Sequence, residues 1–391
     1  MSLRPSLLSL FFLFTACTSQ STTAPPAANA PDTESPPEEA EAETPAPPNA
    51  LAEKVDAFVE AAVKKGTFSG SVLVIDGGKT VLSKGYGFAA RDKEEPNGPT
   101  TIFRIGSVSK QFTAAGILVL EADGKLRLDD PVSKYIPEYP KANLEKDGVP
   151  VTIHHLLSHT GGIPAKAMST DYLKETIWRK PIDHAAWMAS ISAFPLDDVP
   201  GTRWVYSNYG YTLAAMILER VSGQSYEAFM RERIFAPLGM NDTGVVVPPD
   251  KHGRYAYGYT TSKSGGELGT IMVDPSFGDP NVTWALGSGQ IYSTTEDMAR
   301  WDRALAEKKV TKQELLFEEV LHDYGYGWVL GERSGVSYAW HNGALTPMGF
   351  TAMIVRVPSK VRAVIFLANL ERKIVTDQFE IDLEKIAVTT K

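Results

Sequence analysis

Phe103-Arg104-Ile105-Gly106-Ser107-Val108-Ser109-Lys110-Gln111-Phe112-Thr113 places a serine and a lysine three positions apart, and an apolar helical pattern (Phe112, Ala115, Leu118, Val119, Ala122) follows at once. Positions i and i+3 lie on one face of a helix. The spacing therefore predicts Ser107 and Lys110 pointing the same way from the first turn. A serine hydroxyl is a weak nucleophile until a base comes within hydrogen-bond reach. Here the base comes from the next turn of the same helix.

The flanking sequence predicts the layers around this helix. Leu51, Val55, Phe58, Val59, Ala62 and Val63 trace one helical face that ends at Gly66. Ser71–Ile75, a turn at Asp76-Gly77-Gly78, and Thr80–Ser83 predict a β-hairpin. Phe350–Val357, a turn at Pro358-Ser359, and Val361–Leu367 predict a second hairpin, and Ile374–Ala387 a closing amphipathic helix. Helix plus hairpin at one end and hairpin plus helix at the other imply one antiparallel sheet completed by both ends. Residues 107–310 read as mainly helical, with segments at Tyr209–Val221, Tyr226–Phe235 and Ser293–Ala306, the last with a Ser293/Glu296 capping box.

A serine with a lysine base needs a group that carries a proton to the leaving atom, backbone N–H groups aimed at the oxyanion, and an edge strand for the substrate. Trp204-Val205-Tyr206-Ser207-Asn208-Tyr209 offers a phenol and an amide two apart, just before a helix. Tyr338-Ala339-Trp340-His341-Asn342-Gly343-Ala344 reads as a strand whose Gly343 admits close backbone approach. His159-Thr160-Gly161 and Lys263-Ser264-Gly265 compete for that third position. The first precedes the tyrosine motif and the second lies in a Ser/Gly-rich turn, so His341 is preferred. His155 and His159 stand at i and i+4, but no glutamate fills the H-E-x-x-H role. The three histidines His154, His155 and His159 therefore read as structural. Gly287-Ser288-Gly289 lacks the leading glycine of a nucleophile elbow, which weighs against an α/β-hydrolase. The aromatic residues of Tyr324–Trp328 read as core and cleft wall.

Taken in order, Ser-x-x-Lys, Tyr-x-Asn and His-x-Gly resemble the serine β-lactamase-related superfamily, which holds class C β-lactamases, D-alanyl-D-alanine carboxypeptidases and esterases. The runs Leu156–Pro164, Pro237–Met240 and Gly287–Ser293 extend the resemblance over residues 51–391. It implies an α/β (α+β) β-lactamase-like fold: a central antiparallel sheet flanked by N- and C-terminal helices, plus a mostly helical subdomain. It further implies Ser107 as nucleophile, Lys110 as base and Tyr206 as proton shuttle. Asn208 and His341 would bind substrate beside Gly343 and Ala344, with the N–H groups of Ser107 and Ala344 as oxyanion hole. The implied reaction forms and hydrolyses an acyl-enzyme, with no metal and no cofactor. The histidine at the third motif favours a D-amino-acid peptidase or small esterase over an efficient class C-like β-lactamase. A non-hydrolytic penicillin-binding sensor is the alternative from another class, and an acidic surface adhesin a third.

Residues 1–50 are a different material. Arg4, the short apolar run Leu7–Phe14 and the small residues before Cys17 describe a secretory signal at 1–16, too short to span a bilayer. Phe14-Thr15-Ala16-Cys17 resembles a bacterial lipobox and implies acylation of Cys17, the chain's one cysteine. Thr18–Ala50 is rich in Pro, Ala, Thr, Ser and Glu, has no aromatic or basic residue, and cannot bury enough apolar area to order itself. Residues 17–50 thus read as a linker able to reach about 100 Å when extended. The expected location is the bacterial envelope, as an outer-membrane lipoprotein facing the periplasm. The net charge of −8 is mostly tail, since six of 47 acidic but one of 39 basic residues precede residue 51. No field for nucleic acid results. The expected partners are a small-molecule or peptide acyl donor and a membrane reached through the lipid on Cys17.

Overall fold

Asn49 opens the first helix, α1 (Ala50–Lys64), by accepting the N–H groups of Leu51 and Ala52 on its side chain. These coordinates are a computed structural model that describes residues 49–164, 184–261, 268–270, 283–345 and 348–391. The expectations at Cys17 and Lys263 lie outside them. Leu51, Val55, Val59 and Ala62 are buried along α1, as the sequence pattern requires.

Six strands form the sheet: β1 (Gly70–Asp76), β2 (Lys79–Tyr86), β3 (Val329–Arg333), β4 (Val336–Leu345), β5 (Phe350–Val357) and β6 (Arg362–Ala368). The order is β3-β4-β5-β6-β1-β2, antiparallel throughout. The two hairpins meet where β1 pairs with β6, from Gly70 opposite Ala368 to Ile75 opposite Ala363. Strand β3 is an addition to the expected hairpins. Its Gly331, Glu332 and Arg333 break the apolar alternation, because an edge strand has one neighbour and tolerates charge.

The sheet separates two cores. One face packs under α1 and the C-terminal helix α5 (Asp377–Thr389). Phe379 is the centre of that layer, with Phe58, Phe68 and Phe366 at ring-centroid distances of 4.9, 5.2 and 5.5 Å. The other face carries the helical part, including α2 (Ser109–Ala122), α3 (Asn208–Ser222) and α4 (Thr295–Ala306). Tyr226–Phe235 begins as an α-helix and widens to a π-turn over Arg231–Phe235.

Two local expectations shift. Ser107 sits in a 3₁₀ turn, Gly106–Val108, that leads into α2 rather than in its first α-turn. The cap of α4 is Thr294, which accepts from the N–H of Asp297, one residue beyond the expected pair. Ser293 is unavailable because it pairs with Phe103 in a short antiparallel ladder and turns its hydroxyl to Thr243 at 2.8 Å. Among the described residues no helix is long and apolar enough to cross a membrane.

Deleting the Phe379 ring leaves a void among three aromatic neighbours. Phe379→Ala is expected to cost about 3–5 kcal/mol in a urea unfolding titration. A loss below about 1 kcal/mol would show that α5 does not depend on this cluster.

Candidate active site

The site begins with a backbone contact. Gly106 has φ of 52°, a left-handed conformation that bends the chain into the 3₁₀ turn. A Cβ there would stand 2.6 Å from the nitrogen of Ala344. Across the contact, a Cβ on Gly343 would overlap the carbonyl oxygen of Ile105 and stand 2.9 Å from the nitrogen of Ser107. Two glycines thus let β4 press against the turn that carries Ser107. The same contact brings the amides of Ser107 and Ala344 to one place. Within β4, strand β3 pairs with Val336–Trp340, so this ladder stops where His341–Leu345 come up to the serine.

Lys110 is fully buried. Its Nζ lies 3.1 Å from Ser107 Oγ, 2.8 Å from Asn208 Oδ1 and 2.8 Å from the carbonyl oxygen of Ser288. Burial holds its pKa well below the usual lysine value, and none of these partners is a carboxylate. A neutral amine has two protons and one lone pair. The geometry accommodates that form: the protons go to Asn208 and Ser288, and the lone pair faces the serine hydroxyl. The rings of Tyr206 and Tyr211 flank the nitrogen, with centroids at 4.7 and 5.5 Å.

Tyr206 meets the same serine from the far side of the cleft. Burial raises the pKa of its phenol well above the ordinary value, against smaller opposing effects of the nearby Ser107 side chain and of the Arg372 charge. The phenol is therefore neutral and able to donate. Ser207, between Tyr206 and Asn208, caps α3 by accepting the N–H of Gly210 at 3.3 Å. That cap sets the angle at which the motif enters the cleft.

His341 is placed differently from the expected substrate ligand. It is buried, with Nδ1 2.6 Å from the carbonyl oxygen of Asn342 and Nε2 3.1 Å from the Tyr324 hydroxyl. Burial first, then the Lys110 charge, push its pKa down to about 3. It faces the site as a neutral ring, 6.4 Å from the ring of Tyr206 by centroids.

Three contributors were not singled out from the sequence. The Ser288 carbonyl comes from the Gly287-Ser288-Gly289 run. Tyr324 comes from the aromatic-glycine run before β3. His159, expected as a structural residue of its loop, accepts the N–H of Ser207 on Nδ1 at 3.1 Å and packs against Tyr206 at a centroid distance of 4.4 Å. Its neighbours hold local structure: His155 Nδ1 accepts the N–H of Thr152 at 3.2 Å, and His154 meets the Tyr326 hydroxyl at 2.6 Å. A cavity of about 890 Å³ near α4 and the β3–β4 hairpin, lined by Leu305, Phe317, Tyr338 and Arg356, contains none of the residues around Ser107.

The family model described as β-lactamase matches residues 52–389. A penicillin-binding protein of Bacillus subtilis is 31% identical over 341 residues, covering 80% of this chain and 70% of that one. Protein flp of Staphylococcus aureus is 29% identical over 84% of this chain, which spans 65% of flp. Among solved structures, the octameric penicillin-binding protein homologue of Pyrococcus abyssi superposes with a TM-score of 0.70 at 26% identity, covering 85% of this chain and 77% of that one. An antiparallel sheet between helical layers, with a serine, lysine and tyrosine meeting at its edge, is thus accompanied by a match over nearly the whole folded region, and the chain belongs to the β-lactamase family, whose members are serine hydrolases.

Proposed function

We propose that this chain is a serine acyl-hydrolase that forms an acyl-enzyme on Ser107 and acts on D-amino-acid peptides or small esters. The observation that carries the reading is the buried Lys110 amine, 3.1 Å from Ser107 Oγ and without a carboxylate partner. An unperturbed lysine titrates near 10.4 and is a poor base at neutral pH. Dehydration lowers that value and so supplies the unprotonated amine.

The sequence of events follows from the positions. Lys110 takes the proton of Ser107 as Oγ attacks the acyl carbon. The amides of Ser107 and Ala344 face the oxygen that gains charge. Tyr206 hands a proton to the leaving atom and takes one in turn from the Lys110 ammonium, whose nitrogen lies 4.7 Å from the centroid of its ring. Water then attacks the acyl-enzyme by the reverse proton route. Asn208 holds the Lys110 amine in line throughout.

A neutral His341 supports the peptide and ester substrates over β-lactams, because it gives a drug carboxylate no charge to meet. The intact serine, lysine and tyrosine support hydrolysis over binding alone. The names of the relatives, an envelope-associated class, support action on the cell envelope, which accords with the lipid anchor expected at Cys17.

Incubation with a chromogenic short-chain ester and with a penicillin, read by intact mass, is expected to show one acyl adduct, absent in Ser107→Ala. Ester turnover should be rapid and penicillin turnover slow. No adduct and no turnover with any acyl donor would leave only the binder. Lys110→Ala is expected to slow acylation about 10²–10⁴-fold. Because burial lowers the Lys110 pKa, wild-type kcat/KM should rise with pH along a limb centred well below 10.5; a limb at the ordinary lysine value would remove Lys110 as the base. Gly343→Ala forces β4 off the Ile105–Ser107 turn, and kcat should fall at least 10²-fold while the circular dichroism spectrum stays that of the wild type. Unchanged kcat would show that the two amides do not act together.

A further inference from the structure

Behind the reacting atoms, buried side chains form one directed chain of hydrogen bonds. The Ser207 N–H donates to His159 Nδ1 at 3.1 Å. A ring nitrogen that accepts carries no proton, so the neutral ring of His159 is protonated on Nε2. That nitrogen lies 3.2 Å from the Tyr324 hydroxyl and donates to it. At the other end His341 Nδ1 faces a carbonyl oxygen, that of Asn342, at 2.6 Å. A carbonyl only accepts, so Nδ1 bears the proton and Nε2 is a bare acceptor. The Tyr324 hydroxyl, 3.1 Å away, donates to it. Tyr211 also contacts Tyr324. It gives its own proton to the Leu157 carbonyl at 2.7 Å, and a phenol oxygen is a weaker acceptor than an imidazole nitrogen. The single proton of Tyr324 therefore goes to His341.

Every polar atom of the chain is spent internally. One end is the backbone of the Tyr206–Asn208 wall and the other is the backbone of β4. His159, Tyr324 and His341 are each no more than 3% exposed. His159 keeps its place with φ of 61°, a left-handed conformation that is strained in a non-glycine residue. The ionisable groups whose fields bear on His341 are Lys110, when protonated, and Arg372. Lys110 is committed to Ser107, Asn208 and Ser288. Arg372 is held by Asp377 at 2.8 Å and by Glu380 at 3.3 Å, both from α5. Glu380 in turn accepts from Asn342 Nδ2 at 2.6 Å.

We propose that Tyr324 and His159 are positioning residues that lock His341 as a neutral Nδ1–H tautomer with neither nitrogen free for substrate, so that the site selects acyl donors whose leaving group bears no carboxylate. This rests on the acyl-hydrolase reading and narrows it to esters and to amides or peptides with an uncharged leaving side. Tyr324 acts through His341 and touches no reacting atom. Its removal frees Nε2 to take a proton and so creates a cation where the wild type has none.

The test has two arms. In histidine-¹⁵N-labelled protein, long-range ¹H–¹⁵N spectra should show one ring, absent in His341→Gln, with the Nδ1–H signature and no titration from pH 8 to 5. In Tyr324→Phe the same ring should begin to titrate within that range. The second arm compares a neutral aryl ester with its analogue bearing a carboxylate on the leaving phenol. Wild type should prefer the neutral ester at least tenfold in kcat/KM at pH 7. In Tyr324→Phe, KM for the carboxylate ester should fall several-fold between pH 7 and pH 5, with no matching fall for the neutral one. A wild-type His341 that carries its proton on Nε2, or titrates near 6.5, overturns the proposal whatever the protein hydrolyses. Equal KM values for the two esters at every pH overturn the selection. An expected spectrum with no turnover of either ester overturns the acyl-hydrolase reading instead.

Discussion

Lys110 is fully buried and none of its hydrogen-bond partners is a carboxylate, and this constraint organises the helical half of the molecule. The effective cost of dehydrating a cation is several kcal/mol, so the amine gives up its proton rather than meet that cost. Keeping water away requires a helix that is covered all round. Every residue of α2 from Ser109 to Leu120 is buried. A helix covered all round is a core element rather than an amphipathic surface one. Ser107 stands one turn nearer the mouth and is only half-buried, while the Lys110 amine stays dry. The neutral phenol of Tyr206 closes the same pocket and adds no charge that would restore the ammonium.

The second constraint is steric. A nucleophile on the helical half acts on a substrate lying along the sheet only if the two halves touch at the backbone. Gly106 and Gly343 provide that touch, and any side chain at either position would hold the halves apart. Strand β4 serves both needs along its length. Val336–Trp340 are tied to β3, while His341–Leu345 run past that ladder to the serine. The contact of the two N- and C-terminal hairpins through β1 and β6 makes β4 part of a rigid sheet, so the position of Ala344 relative to Ser107 is fixed by the whole core rather than by a loop.

Much of this arrangement was legible from residue order. Both hairpins, the first and last helices, and the pairing of Ser107 with Lys110 lie where periodicity and spacing put them, because each is governed by neighbours close in the chain or by a side-chain pattern that repeats; Tyr206 was brought to that pair by the family resemblance alone. What escaped was governed by distant partners. The 3₁₀ turn at Ser107 answers to the close approach of β4. The α4 cap moved from Ser293 to Thr294 because Ser293 belongs to a ladder with Phe103, nearly two hundred residues earlier. Strand β3 escaped because its outer edge bears charge. His159 was read as a structural residue of its loop, but its two partners, Ser207 and Tyr324, lie far along the chain, where no local pattern announces them. The tail to Pro48 was read from composition and lies outside the described residues.

His341 and Lys110 belong to one electrostatic problem. A permanent cation at position 341 would stand beside an amine that has to be uncharged. At an effective dielectric of 20, two unit charges 4 Å apart repel by about 4 kcal/mol. Such a cation would depress Lys110 further and would itself need a carboxylate, bound or in the substrate, to be tolerated. A histidine wired to Tyr324 removes that demand. The wall keeps its shape through hydrogen bonds among neutral groups, which lose little in a dry pocket, and burial alone tunes the base. On the proposed reading, recognition rests on the backbone edge of β4 and the shape of the cleft rather than on charge. That fits a substrate with a reactive acyl carbon and an uncharged leaving group better than one that must be anchored by a carboxylate.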